Sequence, residues 1–214
     1  FLDRYAVNGE TDWPQAAQRV AHAVADGDDG LWVESAFHDM LEGFYFVPGG
    51  RIIAAMGSGS QITPYNCFVL PSPEDSCDGI MSSLYKWMEL QRRGGGVGIN
   101  MSTLRPSGAF VKGVNGSSSG PLAWMELFST MTHKVIQQGG SRRGAAMLLL
   151  NDRHPDILDF VDAKRTPGVL EGANVSVAIS DDFMRAIRTD DNWDLVWKDE
   201  VYKTQPAREI WQRI

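Results

Sequence analysis

Residues Ala145-Ala146-Met147-Leu148-Leu149-Leu150 form one continuous apolar run. The run is far too short to cross a bilayer. Its unbroken apolar character suits a strand buried on both faces, as in parallel sheets covered by helices. Working outward, the neighbouring segments alternate between the two periodicities. Tyr65 to Leu70 reads as a short strand, Gly79 to Leu90 as a helix with Ile80, Leu84, Trp87 and Met88 on one face, and Gly96 to Leu104 as a strand again. After a glycine- and serine-rich loop from Gly108 to Gly120, Trp124, Met125, Phe128, Met131, Val135 and Ile136 recur at helical spacing. Ser118 or Ser119 can cap that helix, and Gly139-Gly140 ends it. Beyond the apolar run, Pro155 opens a helix to about Ala163, Asn174 to Ile179 alternates like a strand, and Asp181 or Asp182 caps a helix to Arg188. Four strand–helix units in series predict an α/β fold with a largely parallel sheet.

Upstream, Trp13 to Ala25 and Leu31 to Leu41 are amphipathic helical patterns joined by Asp26 to Gly30, the first capped by Asp12 with Pro14 in its first turn. Phe46-Val47-Pro48-Gly49-Gly50 is a turn signal that ends helical character, and a short apolar run follows. The expected division is a helical region over 1–45 and the α/β region over 46–214. Pro206 to Ile214 enters a new helix.

The chain has 214 residues and a formal net charge of −7. That length allows one sizeable core with a small appended subdomain. The acidic balance lacks the footprint of a protein that grips nucleic acid through phosphate contacts. With no long apolar segment and no basic-then-apolar leader, the expectation is a cytoplasmic protein with neither a nucleic-acid nor a membrane partner. Two cysteines, Cys67 and Cys77, are too few for a disulfide framework. The four histidines show no metal-ligand spacing and read as structural or surface residues, so no metal is expected.

Three stretches could carry chemistry. Arg93-Gly94-Gly95-Gly96-Val97-Gly98-Ile99-Asn100 precedes a strand, which excludes a dinucleotide fingerprint, and no Gly-Lys-Ser/Thr follows for a phosphate loop. It is either a ligand loop, with amides facing phosphate or ribose oxygens, or a tight helix-to-strand connection. Gln137 to Ala145 sets Arg142 and Arg143 among glycines beside Gln138. Guanidinium groups suit phosphates or base stacking and the amide suits a base edge; the competing reading is a solvated loop with cations at a helix end. Asn66-Cys67-Phe68-Val69-Leu70 places a thiol in a strand, where a small buried hydrophobe is the plain reading. Fully extended, the segment from Cys67 to Cys77 spans roughly 30 Å, too far to pair, although a turn at Pro71 to Pro73 could shorten it.

Taken in order, these stretches form a series. It runs Pro48-Gly49-Gly50-Arg51-Ile52, Asn66 to Pro71, GGGVGINMSTLRPSGAFVKG (Gly94 to Gly113), Ser118 to Pro121, QGGSRRGAAM (Gln138 to Met147) and HPDILDFVDAK (His154 to Lys164). The series resembles the catalytic chain of ribonucleotide reductases, over nearly the whole sequence. The PGGRI form, the glycine run and the double arginine look most like the adenosylcobalamin-dependent class. The resemblance implies a ten-stranded α/β barrel of two parallel five-stranded halves preceded by helices, with this chain covering most of the first half.

The resemblance also implies roles. Cys67 matches the amino-terminal member of the redox pair that delivers two electrons to the ribose. Asn66 and Cys67 would lie under the substrate ribose, and the backbone of Gly96 against the nucleotide. Asp75 and Ser76 match the start of the helix that holds the ribose of a deoxynucleoside triphosphate effector. Arg105 and Lys112 match basic residues facing its phosphates, under a loop from Gly113 to Ser119. Gln138, Gly139, Gly140, Ser141, Arg142 and Arg143 match the loop linking effector identity to substrate choice. Cys77 stands where the family has an apolar residue and receives no role. Where many relatives have Ser or Thr for the substrate phosphate, this chain has Gly50-Arg51.

Implied partners are a ribonucleotide substrate, the effector, a thioredoxin-like reductant and, because relatives' effector sites often lie at a dimer interface, a second copy of the chain. The radical cysteine and the second redox cysteine are expected beyond Ile214, so these residues alone are expected to be inactive. The alternatives are a reductase large subunit that takes its radical from a separate subunit, a non-catalytic deoxynucleotide-binding module, and an α/β domain with no ligand.

Overall fold

A computed structural model describes residues 1–7, 9–28, 30–135 and 144–214. The chain opens with α1 (Leu2–Tyr5), α2 (Trp13–Ala25), α3 (Leu31–Glu42) and α4 (Gly50–Ala55). Asp12 caps α2 by accepting the Gln15 N–H at 3.1 Å, with Pro14 in the first turn as expected. Helix α4 was not read from the sequence, where its Pro-Gly-Gly start looked like a terminator. Ala17, Val20, Ala21 and Leu41 bury against one another, and Trp13, Phe37, Ile52 and Met56 complete this small core. The small core therefore draws in α4 as well as α2 and α3.

The remaining elements are β1 (Cys67–Leu70), α5 (Cys77–Arg92), β2 (Gly96–Asn100), a two-stranded ribbon of β3 (Phe110–Val111) and β4 (Gly116–Ser117), α6 (Gly120–Thr130) running into a π-helical turn at Met131–Val135, β5 (Ala146–Asn151), α7 (Ile157–Ala163), β6 (Asn174–Ala178), α8 (Asp181–Thr189), β7 (Asn192–Trp197), β8 (Glu200–Pro206) and α9 (Ala207–Arg213). Strands β1, β2, β5 and β6 pair in that order, all parallel. The expected parallel sheet is present. Ser180, not Asp181 or Asp182, caps α8, its hydroxyl accepting the Phe183 N–H at 3.2 Å.

The main core lies on one face of this sheet. Val97, Ile99, Leu148 and Leu150 point into it and meet Trp87 of α5, Phe128 of α6, Phe160 of α7 and Phe183 of α8, all buried. Trp87 packs edge-on against Phe128 at 5.3 Å and donates its indole N–H to Thr132 at 3.0 Å. The opposite face corrects the expectation of a strand buried on both sides. Along β5 burial alternates, with Ala146, Leu148 and Leu150 inside, while Met147 is 37% exposed and Val69 of the neighbouring β1 is 88% exposed. Among the described residues helices cover one face only, and the alternating side chains of Cys67, Val69, Gly96, Gly98 and Met147 share the open one.

The antiparallel hairpin of β7 and β8 was also absent from the sequence reading. Trp193 and Leu195 alternate inward and join the main core, with Trp193 against Phe183 at 5.2 Å. Its two-residue turn is Lys198-Asp199, both with positive φ (44° and 41°). That is a primed-turn geometry, normally signalled by Asn-Gly, and neither residue announces it.

Candidate functional site

Cys67 begins β1 directly opposite Gly96 in the parallel register. The thiol is free and exposed, which corrects the plain reading of a small buried hydrophobe. It sits on the open face because strand alternation turns Phe68 and Leu70 toward the helices and Cys67 away from them. The Asn66 carbonyl accepts the Gly96 N–H at 2.8 Å, and a Cβ added at Gly96 would stand 3.1 Å from the Cys67 Sγ. Any side chain there would crowd the thiol, so a glycine keeps the floor beside Cys67 bare. Gly94 adopts φ +84°, and the side where a Cβ would project is filled by the Arg51 guanidinium. Gly49 also lies near this point, since a Cβ there would come 3.9 Å from the Asn66 amide nitrogen. The PGGRI segment, Asn66, Cys67 and the glycine run are thus one place in the fold. Arg51 points to the glycine run.

The second cluster lies at the start of α5. Ser76 caps the helix by accepting the Gly79 N–H at 3.0 Å. Asp75 is clasped by Arg105: its carboxylate accepts the Arg105 backbone N–H at 3.1 Å, the Nε at 3.1 and 3.0 Å, and an Nη at 2.9 Å. The side-chain bond to Asp75 holds the arginine's pKa above its ordinary value, with burial opposing. Asp75, Ser76, Cys77, Arg105, Ser117, Ser118, Ser119 and Trp124 are among the residues lining a cavity of about 250 Å³. A cation, a carboxylate and several hydroxyls around a cavity of that size suit a small anionic ligand that carries hydroxyl groups. Lys112 is exposed on the β3–β4 ribbon and is not among the lining residues. Cys77 and Cys67 are both free, so the open question of their pairing closes against a disulfide.

The loop bearing Arg105 is anchored from below by two buried residues of the HPDILDFVDAK segment. His154 Nε2 bonds to the Leu104 carbonyl at 2.9 Å, and Nδ1 accepts the Asp156 N–H at 3.1 Å. One nitrogen donates and the other accepts, which is the neutral tautomer inferred from partners. Asp156 in turn accepts the Ser107 N–H at 2.8 Å. Burial pushes the His154 pKa down, with the Leu104 bond and Asp156 opposing. Its native pKa is below the unfolded value of about 6.5, so its contribution is complete above that pH and is lost as pH falls below it toward the native value. Denaturant unfolding between about pH 7.5 and 5.5 should show a shallower acid-side loss for His154→Gln than for the parent chain, by at most about 1.4 kcal/mol per pH unit. Equal slopes would mean that folding does not lower the His154 pKa.

The sequence reading missed the tip of the β7–β8 hairpin, which reaches the same place. The Trp197 indole N–H donates to the Thr103 carbonyl at 3.1 Å, and Lys198 Nζ lies 3.9 Å from Asp75 Oδ2. The Tyr202 phenol is raised by desolvation and by Glu200, with Arg105 opposing, so β8 feels the same arginine. Only the positive-φ turn could have flagged the tip, and Lys-Asp does not signal one. The proposed specificity loop, Gln138, Gly139, Gly140, Ser141, Arg142 and Arg143, lies outside the described residues.

The structure thus joins a parallel α/β unit to an exposed thiol beside a bare glycine, and holds a separate cavity edged by Asp75, Arg105 and serine hydroxyls. Residues 65–212 match the family model for the ribonucleotide reductase barrel domain. The chain belongs to the ribonucleotide reductase family. It is 38% identical to a vitamin B12-dependent ribonucleoside-diphosphate reductase of Thermoplasma acidophilum, over 83% of this chain and 23% of that protein. Identity to the reductase of the same name from Mycobacterium tuberculosis (strain CDC 1551 / Oshkosh) is 35%, over 99% of this chain and 32% of the relative. Ribonucleoside-diphosphate reductase large chain 2 of Saccharomyces cerevisiae is 29% identical over 97% of this chain and 27% of its own length. The chain thus spans about a quarter to a third of the length of these relatives. No helix among the described residues is long and apolar enough to cross a membrane.

Proposed function

We propose that this chain is part of an adenosylcobalamin-dependent reductase that converts ribonucleotides to deoxyribonucleotides, within a larger barrel whose remaining strands would cover the open face of the sheet. The observation that carries the reading is the exposed Cys67 thiol, in register with the bare backbone of Gly96 and beside Asn66. A substrate ribose set on this floor would meet the thiol with no side chain intervening. Cys67 and a second cysteine elsewhere in the protein each lose a hydrogen and become a disulfide. The two electrons and two protons remove the 2′ oxygen as water, after a thiyl radical has abstracted the 3′ hydrogen. A dithiol protein of the thioredoxin type then restores both thiols by exchange.

When bound, the cofactor supplies the radical. Described cavities of about 250, 310 and 370 Å³ are each smaller than a corrin with its nucleotide tail, so they do not fit that group. The part played by these residues is binding and reduction. Greater identity to the two B12-dependent relatives than to the yeast large chain supports the cobalamin class. The full-length protein is expected to reduce ribonucleotides only when adenosylcobalamin is added, measured as deoxyribonucleotide formed with a dithiol reductant. Activity restored instead by an iron-loaded partner subunit would overturn the class.

The cavity at Asp75, Ser76 and Arg105 is the proposed site of a deoxynucleoside triphosphate effector. Because Arg105 and Asp75 already hold each other, the ligand has to exchange partners rather than meet free charges: its hydroxyl takes Asp75 while its phosphates draw on the arginine. Lys112, on the nearby ribbon, would join the phosphates from outside the cavity.

A further inference from the structure

We infer that Lys198, at the tip of the β7–β8 hairpin, is a further binding residue of the Asp75–Arg105 cavity and serves the phosphates of its ligand. The inference rests on reading that cavity as a site for deoxynucleoside triphosphates. Asp75 Oδ2 is shared by two cations, Arg105 at 2.9 Å and Lys198 at 3.9 Å. One carboxylate cannot fully pair with two cations, and both stand beside a cavity lined by serine hydroxyls. When a ligand hydroxyl takes up Asp75, both cations lose part of their counter-charge, and phosphate oxygens are the groups that can replace it. Arg105 and Lys112 together carry two positive charges, still fewer than the negative charge of a triphosphate, which leaves room for a third cation.

The hairpin tip is held in place for this task. The Trp197 indole is tied to the Thr103 carbonyl, two residues before Arg105, and the Lys198 ammonium stands 4.3 Å from the centre of the Trp197 ring. That ring contact directs a flexible side chain toward Asp75 without consuming its three donors. Lys198 and Asp199 also occupy a two-residue turn with positive φ, where Asn-Gly would cost less. Lys198 is not itself among the lining residues, but a lysine in that conformation holds its ammonium 3.9 Å from Asp75, which is. Asp199 and Glu200 on the same turn oppose it electrostatically. A triphosphate therefore gains from Lys198 chiefly by direct contact rather than by long-range attraction.

The test is calorimetry of dATP, dTTP and dGTP, and of the corresponding uncharged deoxynucleosides, with the full-length chain and with Lys198→Ala and Lys198→Arg at two salt concentrations. Lys198→Ala should weaken triphosphate binding about tenfold, or about 1.4 kcal/mol. It should also flatten the salt dependence, and leave the deoxynucleosides unaffected. Lys198→Arg should restore most of the loss. The side chain is 69% exposed, so the variants should fold as the parent does. Unchanged triphosphate affinity in Lys198→Ala would overturn the inference, as would equal weakening of triphosphate and deoxynucleoside, the signature of a merely structural role. If the parent chain binds no triphosphate, the effector reading of the cavity fails, and this inference with it.

Discussion

Replacing Cys67 by serine in the full-length reductase is expected to abolish multiple turnover with a dithiol reductant while leaving nucleotide binding within about twofold of the parent, or about 0.4 kcal/mol. The thiol is free, exposed and set at the first residue of β1, with the backbone of Gly96 alongside. Serine keeps the size of the side chain and its place on the open face, so the sheet and the helices behind it lose no packing. What disappears is the ability to form a disulfide, and with it the source of two electrons for each ribose reduced. Steady-state deoxyribonucleotide formation should fall by at least about a thousandfold, or about 4 kcal/mol in effective barrier. Substrate affinity measured by calorimetry separates this from a folding defect. Unchanged turnover would refute the redox role and leave Cys67 as a surface residue.

Arg19→Ala should produce a large loss of stability. Arg19 and Glu10 are about nine-tenths buried and bonded to each other at 2.6 Å. The same guanidinium donates to the carbonyls of Ile53 at 2.9 Å, Met56, and Tyr5 at 3.3 Å. It therefore ties α1, α2 and the end of α4 together. Removing it leaves Glu10 as a buried charge whose remaining partner among the described residues is the Val7 N–H, and strands the carbonyls of Ile53 and Met56; breaking a buried pair in this way costs about 3–5 kcal/mol. Urea unfolding should register that loss, and amides of α4 should exchange faster. The Glu10 pKa supplies a second readout. Burial by itself would raise it, but the bonds from Arg19 and the Val7 N–H outweigh burial and hold it below the ordinary glutamate value. Its stabilising contribution is present above about pH 4.5 and is lost as pH falls through the lowered native value. Arg19→Ala should flatten that acid limb. If both stability and the acid limb are unchanged, the Arg19 contacts are dispensable.

The elements legible in the sequence are those whose evidence is local. Asp12 with Pro14 marked the start of α2, the spacing of Ile80, Leu84 and Trp87 marked α5, and the apolar run marked β5 within a residue. The order of the motifs was legible as well, and with it the family. Helix α4 escaped because a Pro-Gly-Gly start reads as a terminator, and its six residues stand through packing of Ile53 and the contacts of Arg19. The β7–β8 hairpin escaped because its turn uses Lys-Asp in a conformation usually taken by Asn-Gly.

By itself, the sequence determined the parallel α/β class and the family, and the resemblance singled out Cys67, Asp75 and Arg105 as candidates. The first follows from periodicity and the second from motifs read along the chain. The tertiary structure alone decided that Cys67 is exposed and not buried, that one face of the β5 strand is open, and that Arg105 and Asp75 hold each other. It also brought Lys198 to that carboxylate from more than a hundred residues away. The physical reason is that hydrophobic patterning specifies which face of an element is apolar, whereas which face is covered, and which charges meet, depends on contacts between segments distant in sequence.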